Sequence, residues 1–163
     1  MDQVSIFVDV QNIYYTVKQQ YNSHFDYNVF WREVTSGRRL VKAMAYATDR
    51  GDDRQIRFQQ ILKRIGFEVK LKPFVQRTDG SAKGDWDVGI ALDMMEYANQ
   101  VDTVVLASGD GDYATVVDAI VEKFGVTVEV YGVHQLTARS LIRSATRFIP
   151  IEGNMLLPIP QTW

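Results

Sequence analysis

The chain has 163 residues, 46% of them hydrophobic and 23% charged, a formal net charge of -2 and no cysteine. That length suits one domain with a sizeable core, and the absence of thiols excludes disulfides, thiolate metal sites and cysteine nucleophiles. No segment has the unbroken apolar length of a membrane span, and a strand that begins at residue 4 leaves no room for a signal peptide, so a cytoplasmic protein with no membrane partner is expected.

Val4 to Asn12, VSIFVDVQN, opens as a strand that is apolar on both faces, as in a central parallel strand covered on two sides. It ends on Asp9 and runs into a helix over Asn12–Gln20. Val29, Phe30, Trp31 and Val34 suggest a second short helix before Gly37. Leu40–Ala47 reads as the next strand and Arg54–Ile65 as a helix with Phe58, Ile61, Leu62 and Ile65 on its apolar side. Phe67–Val75 alternates apolar with charged residues, the pattern of a strand near a sheet edge, and Gln76–Gly84 reads as a loop. Asp85–Asn99 is a predicted helix with Val88, Ala91, Leu92, Met95 and Ala98 as its buried stripe.

Asp102–Ala107 is the next strand, and Ser108–Asp112 is a tight turn into a helix over Tyr113–Phe124. Val126–Tyr131 is a strand, Gln135–Arg147 the last helix, and Phe148–Ile151 a further edge strand. Pro158 and Pro160 make the tail extended, and its Leu, Ile and Trp residues suggest that it packs on the body or on a second copy in a homodimer. The alternation defines an α/β chain with a mostly parallel sheet in three α/β/α layers, divided into one domain over 1–152 and a tail over 153–163.

Acids stand at strand ends. In an open parallel sheet, ligands bind beyond the carboxyl ends of the strands, so Asp9 is placed for chemistry, although an Asp there also caps a following helix. Ser108-Gly109-Asp110-Gly111-Asp112 is the second such place. A capped turn accounts for one Asp, with the glycines supplying unusual backbone angles. It does not account for two carboxylates so close together. At about 4 to 5 Å and an effective dielectric near 20, such a pair repels by roughly 3 to 4 kcal/mol unless a cation lies between them.

Asp87, in Lys83-Gly84-Asp85-Trp86-Asp87-Val88, shares a helical face with Ala91, Met94, Met95 and Ala98 and so points to the same end of the sheet. Asp85 suits a helix-end acid stabilised by the macrodipole, and Asp93 falls on another face as a structural or surface acid. Gly109-x-Gly111-x-x-Ala114 partly matches a dinucleotide fingerprint, but its variable positions are Asp, which would face a pyrophosphate.

FVDVQN, KGDWDVGIALDM and LASGDGDY, in this order, resemble the three acidic motifs of the NYN domain, a branch of the PIN-like nuclease superfamily, in its LabA-like subgroup. The resemblance spans residues 4 to about 150. It implies a parallel sheet of order 3-2-1-4-5, an acid cluster at the strand C-terminal ends, a bound Mg²⁺ or Mn²⁺, and cleavage of RNA. Carried over by motif, Asp9 and Asn12 belong to the first, Asp87 to the second, and Ser108, Asp110 and Asp112 to the third. In the second motif Asp85-Trp86 intervenes where the family more often has a single residue, which leaves Asp85 as the alternative to Asp87.

The expected activity is therefore metal-dependent hydrolysis of single-stranded RNA, with Asp9, Asp87, Asp110 and Asp112 as metal ligands and Asn12 as a partner of Asp9. The alternative is a non-catalytic NYN-like module that binds RNA or protein and regulates. A phosphatase of the haloacid dehalogenase type needs an Asp at position 11, which is Gln.

Residues 32–83 hold thirteen Lys and Arg against six acids, whereas residues 84–130 hold one Lys against ten acids. The basic part supplies candidates for phosphate contact in Arg38, Arg39, Lys42, Arg50, Arg54 and Arg57, beside Lys83. Arg139, Arg143 and Arg147 recur every four residues as one helical face. Tyr14, Tyr15, Trp86 and Tyr113 are candidates for stacking on bases or for the core.

Overall fold

The computed structural model describes residues 1–49, 51–73, 75–76, 82–83 and 87–159. In chain order these form β1 (Asp2–Asp9), α1 (Val10–Tyr21), β2 (Ser23–Phe25), α2 (Tyr27–Thr35), β3 (Arg38–Asp49), α3 (Asp53–Ile65) and β4 (Glu68–Pro73). There follow β5 (Val75–Gln76), β6 (Ala82–Lys83), α4 (Asp87–Ala98), β7 (Thr103–Ala107), α5 (Ala114–Phe124), β8 (Thr127–Gly132), α6 (Arg139–Ser144), β9 (Arg147–Pro150) and β10 (Leu156–Pro158). Single 3₁₀ turns occupy Gly111–Tyr113, His134–Leu136 and Gly153–Met155.

Six strands build one parallel sheet in the order β4-β3-β1-β7-β8-β9. Counted along the chain, its strands run 3-2-1-4-5, as expected, with a sixth at the far edge. β1 is central, and its alternation divides the core. Val4, Ile6 and Val8 pack with Ile13 and Val17 of α1, Phe30 and Val34 of α2, and Leu62 of α3. Phe7 faces the other way, onto Ile90, Met94 and Ala98 of α4, Val117 and Ile120 of α5, and Leu141 of α6. Full burial of each such side chain contributes about 1.5 to 3 kcal/mol, which is why the strand reads as apolar on both faces.

The edge position of β4 matches its alternating sequence. The stretch over Gln76–Gly84, expected to be loop throughout, instead takes part in a small antiparallel ribbon, with Val75 opposite Lys83 and Gln76 opposite Ala82. β10 pairs antiparallel with β2, and the tail beyond residue 159, including Trp163, lies outside the described residues.

Three helix readings are corrected. In α4 the buried stripe is Ile90, Met94 and Ala98, while Val88 is 73% and Leu92 65% exposed. Apolar residues surround most of that helix, so periodicity alone does not choose its phase. In α3 Ile61 is exposed and Gln59 is buried. The last helix covers only Arg139–Ser144. Before it, the Ala138 amide is drawn to the Gly109 carbonyl (3.0 Å), and after it Thr146 and Arg147 join β8. Arg147 therefore belongs to β9, and Arg139, Arg143 and Arg147 do not form one helical face.

Candidate metal centre

Every acid of the site lies at the C-terminal end of the parallel sheet. Asp9 ends β1, Ser108 and Asp110 follow β7, and Asp87 begins α4, whose N-terminus faces that end. One carboxylate oxygen from each of Asp87, Asp110 and Asp112 lies within 4.8 Å of the other two. Asp85 lies outside the described residues. An open pocket of about 260 Å³ beside the acids is lined by Asp9, Gln11, Asn12, Tyr15, Thr16, Asp87 and Asp110.

Capping and site-building use the same carboxylates. Asp9 is the N-cap of α1, its Oδ1 accepting from the Asn12 amide at 3.3 Å, while its Oδ2 accepts from the Ser108 hydroxyl at 3.4 Å and the Tyr113 hydroxyl at 3.1 Å. Asp110 Oδ1 likewise accepts from the Asp112 amide at 2.9 Å. A carboxylate has two oxygens, so a cap does not exclude a ligand role. The capping reading of Asp9 holds, while both of its oxygens accept hydrogen bonds and it is not one of the three acids that converge.

The first and third motifs are tied together directly. The Gly109 amide donates to Asn12 Oδ1 at 2.8 Å, and the Asp110 amide donates to Ser108 Oγ at 3.1 Å. Asn12 and Ser108 thus set the turn that carries Asp110. The glycines of that turn serve close packing, not unusual backbone angles, since neither Gly109 nor Gly111 has positive φ. A Cβ on Gly109 would meet the Leu136 carbonyl at 3.0 Å, and one on Gly111 would meet the Ala138 Cβ at 2.9 Å. The segment leading into α6 presses against the turn.

Asp9 is buried (7% exposed), and this burial, with a smaller contribution from the Asp110 charge, pushes its carboxyl up to about 6 against the opposing hydrogen bonds from Asn12, Tyr113 and Ser108. It lies outside the triad and joins it through Tyr113, whose hydroxyl is also 3.2 Å from Asp87 Oδ1. Tyr113 is 1% exposed, so it cannot stack on a base. The structure makes it a link between motifs, a role that only contacts distant in sequence reveal.

Arg38 is removed from the substrate-binding candidates. It begins β3, at the opposite end of the sheet, where its guanidinium donates to both oxygens of buried Glu129 (3.0 and 2.9 Å) and pairs with Asp2 at 3.0 Å. Lys42 pairs with Glu68 at 2.6 Å. Arg139 and Arg143 are exposed on α6, the helix entered directly from the contact with the third-motif turn. Arg54 is exposed near the start of α3, at the same end of the sheet as the acids. Arg50, Trp86 and the side chain of Lys83 lie outside the described residues. Asp93 is structural, accepting from Tyr46 at 2.7 Å and Lys70 at 2.9 Å.

A three-layer α/β/α fold with a parallel sheet and an acid cluster beyond its strand ends defines the class of protein. The chain belongs to the NYN domain family, whose model matches residues 3–152, and is LabA-like within it. It is 27% identical over 162 residues to the low amplitude and bright protein LabA of Synechococcus elongatus, an alignment covering 91% of this chain and 83% of the relative. It is also similar to the crystal structure of a protein of unknown function from Vibrio parahaemolyticus, with TM-score 0.92, 50% identity and 96% of each chain covered. Among the described residues, no helix is long and apolar enough to cross a membrane.

Proposed function

We propose that the protein is a divalent-metal-dependent ribonuclease acting on single-stranded RNA. The observation that carries this reading is the convergence of Asp87, Asp110 and Asp112 within 4.8 Å at the strand ends. Three hard oxygen donors so close together suit Mg²⁺ or Mn²⁺, which are held by few carboxylates and keep several waters. The donor set fits: Asp87, Asp110 and Asp112 would hold the ion, with Asp9 as a fourth acid lining the same pocket. When bound, the ion supplies positive charge against phosphoryl oxygens and a more acidic water.

The rest is the work of the chain's own residues. Asn12 holds the third-motif turn against α1, and Ser108 supports the Asp110 backbone. Tyr15 lines the pocket and is 48% exposed, which suits it to meet the bases of a single strand, whereas the Tyr14 ring is stacked on His24 with Lys18 over it. In this reading the exposed Arg139 and Arg143 would contact backbone phosphates of the bound strand.

The test is cleavage of single-stranded RNA by purified protein with Mn²⁺, beside Asp9→Asn and Asp110→Asn. Cleavage by the wild type and loss in both folded variants is expected. Unchanged cleavage in both would trace the activity to a contaminant. A wild type that binds Mn²⁺ and RNA without cutting would move the reading to the regulatory module.

A further inference from the structure

The proposed site draws Asp110 and Asp112 from one turn but Asp87 from a different element, so a separate contact must hold α4 and its acid in place. Tyr113 makes one such contact. Its ring is packed in the core with Ile90, Met94, Leu106 and Val117, which fixes where the hydroxyl lies. The hydroxyl has two carboxylate oxygens in reach, Asp9 Oδ2 at 3.1 Å and Asp87 Oδ1 at 3.2 Å, and one proton to donate. That proton is shared between the two oxygens, and Asp9 accepts from Asn12 and Ser108 as well.

We propose that Tyr113 is a positioning residue that holds Asp87 toward Asp110 and Asp112 and thereby sets the affinity of the site for a divalent cation. This rests on the metal-site reading above. Without the hydroxyl, Asp87 and Asp9 lose the donor between them, and Asp87 loses one of the contacts that orient its carboxylate. The role is exerted through Asp87 and needs no contact with substrate.

The experiment is calorimetric titration of the metal-free protein with Mn²⁺ alone, comparing wild type, Tyr113→Phe and Tyr113→Leu, with melting temperatures in chelator as the control for folding. Loss of an outer hydrogen bond to a ligand typically weakens metal binding roughly tenfold or more, and that loss is expected in Tyr113→Phe at a nearly unchanged melting temperature. Equal Mn²⁺ affinity in Tyr113→Phe and wild type, or a loss confined to Tyr113→Leu, would assign the residue to packing and overturn the proposal. A wild type that binds no Mn²⁺ would instead remove the metal site itself, and the inference with it.

A second measurement needs no variant. In wild-type protein carrying tyrosine labelled with ¹³C at the ζ carbon, Mg²⁺ should shift the Tyr113 signal along the same saturation curve as binding. A flat response while the site fills would overturn the proposal even if the phenylalanine variant did not fold.

Discussion

Asp9→Asn separates what the site costs the fold from what it provides. The carboxyl is buried and held at about 6, against 3.8 for an exposed aspartate. A shift of about two units corresponds to about 3 kcal/mol by which ionised Asp9 destabilises the folded chain. Between those two values the folded state binds the proton more readily than the unfolded one, so this contribution lowers stability as pH rises from about 4 to about 6 and leaves it low above that. Asparagine retains the Oδ1 that caps α1, and its amide can donate to Tyr113 and Ser108, whose oxygens accept as well as donate. The neutral side chain therefore fits where the charge is costly.

Urea unfolding in chelator should show Asp9→Asn more stable than wild type by about 3 kcal/mol at pH 8, with the gap closing toward zero near pH 4. The same variant should have lost RNA cleavage. A variant equal to or weaker than wild type at pH 8, or a gap of constant size from pH 4 to 8, would refute the argument that burial strains this carboxylate.

Other perturbations test other parts of the structure. Ser5 is fully buried in β1 and its hydroxyl finds no hydrogen-bond partner among the described residues, so Ser5→Ala should raise stability by about 1 kcal/mol, and a drop in the urea midpoint would show a missed partner. Gly111→Ala should cost roughly 1 to 3 kcal/mol through the Ala138 contact and weaken Mn²⁺ binding as the turn shifts; calorimetry showing neither effect would contradict the close-packing account. Arg38→Ala leaves Glu129 buried with the more distant Arg147 (3.8 Å) as its remaining ion-pair partner among the described residues and should cost about 3 kcal/mol, measured by thermal melting, while RNA binding by the folded variant stays unchanged.

Much of this was legible in the sequence because it is local. An apolar run on both faces makes a central strand wherever it occurs, and the residue that ends it lies at the strand's C-terminal end. Asp9, Asp87, Asp110 and Asp112 were therefore readable as acids of one end of the sheet, while the order of the first five strands came only as what the family resemblance implied. Even the capping roles of Asp9 and Asp110 were visible, since a cap involves neighbours two or three positions along.

What the tertiary structure alone decided depends on groups about a hundred residues apart. The Ser108 and Tyr113 hydroxyls reach Asp9 across such separations, and Arg38 reaches Glu129 across ninety-one positions. No periodicity encodes those meetings. The phase of α4 was undetermined because that helix is apolar around most of its circumference, and only the sheet beneath it selects Ile90, Met94 and Ala98. The last helix is short because the backbone on either side of it is claimed by Gly109 and by β8. Sequence therefore determined which residues could build the site, and packing determined that Asp87, Asp110 and Asp112 converge and that the Tyr113 hydroxyl links Asp9 to Asp87.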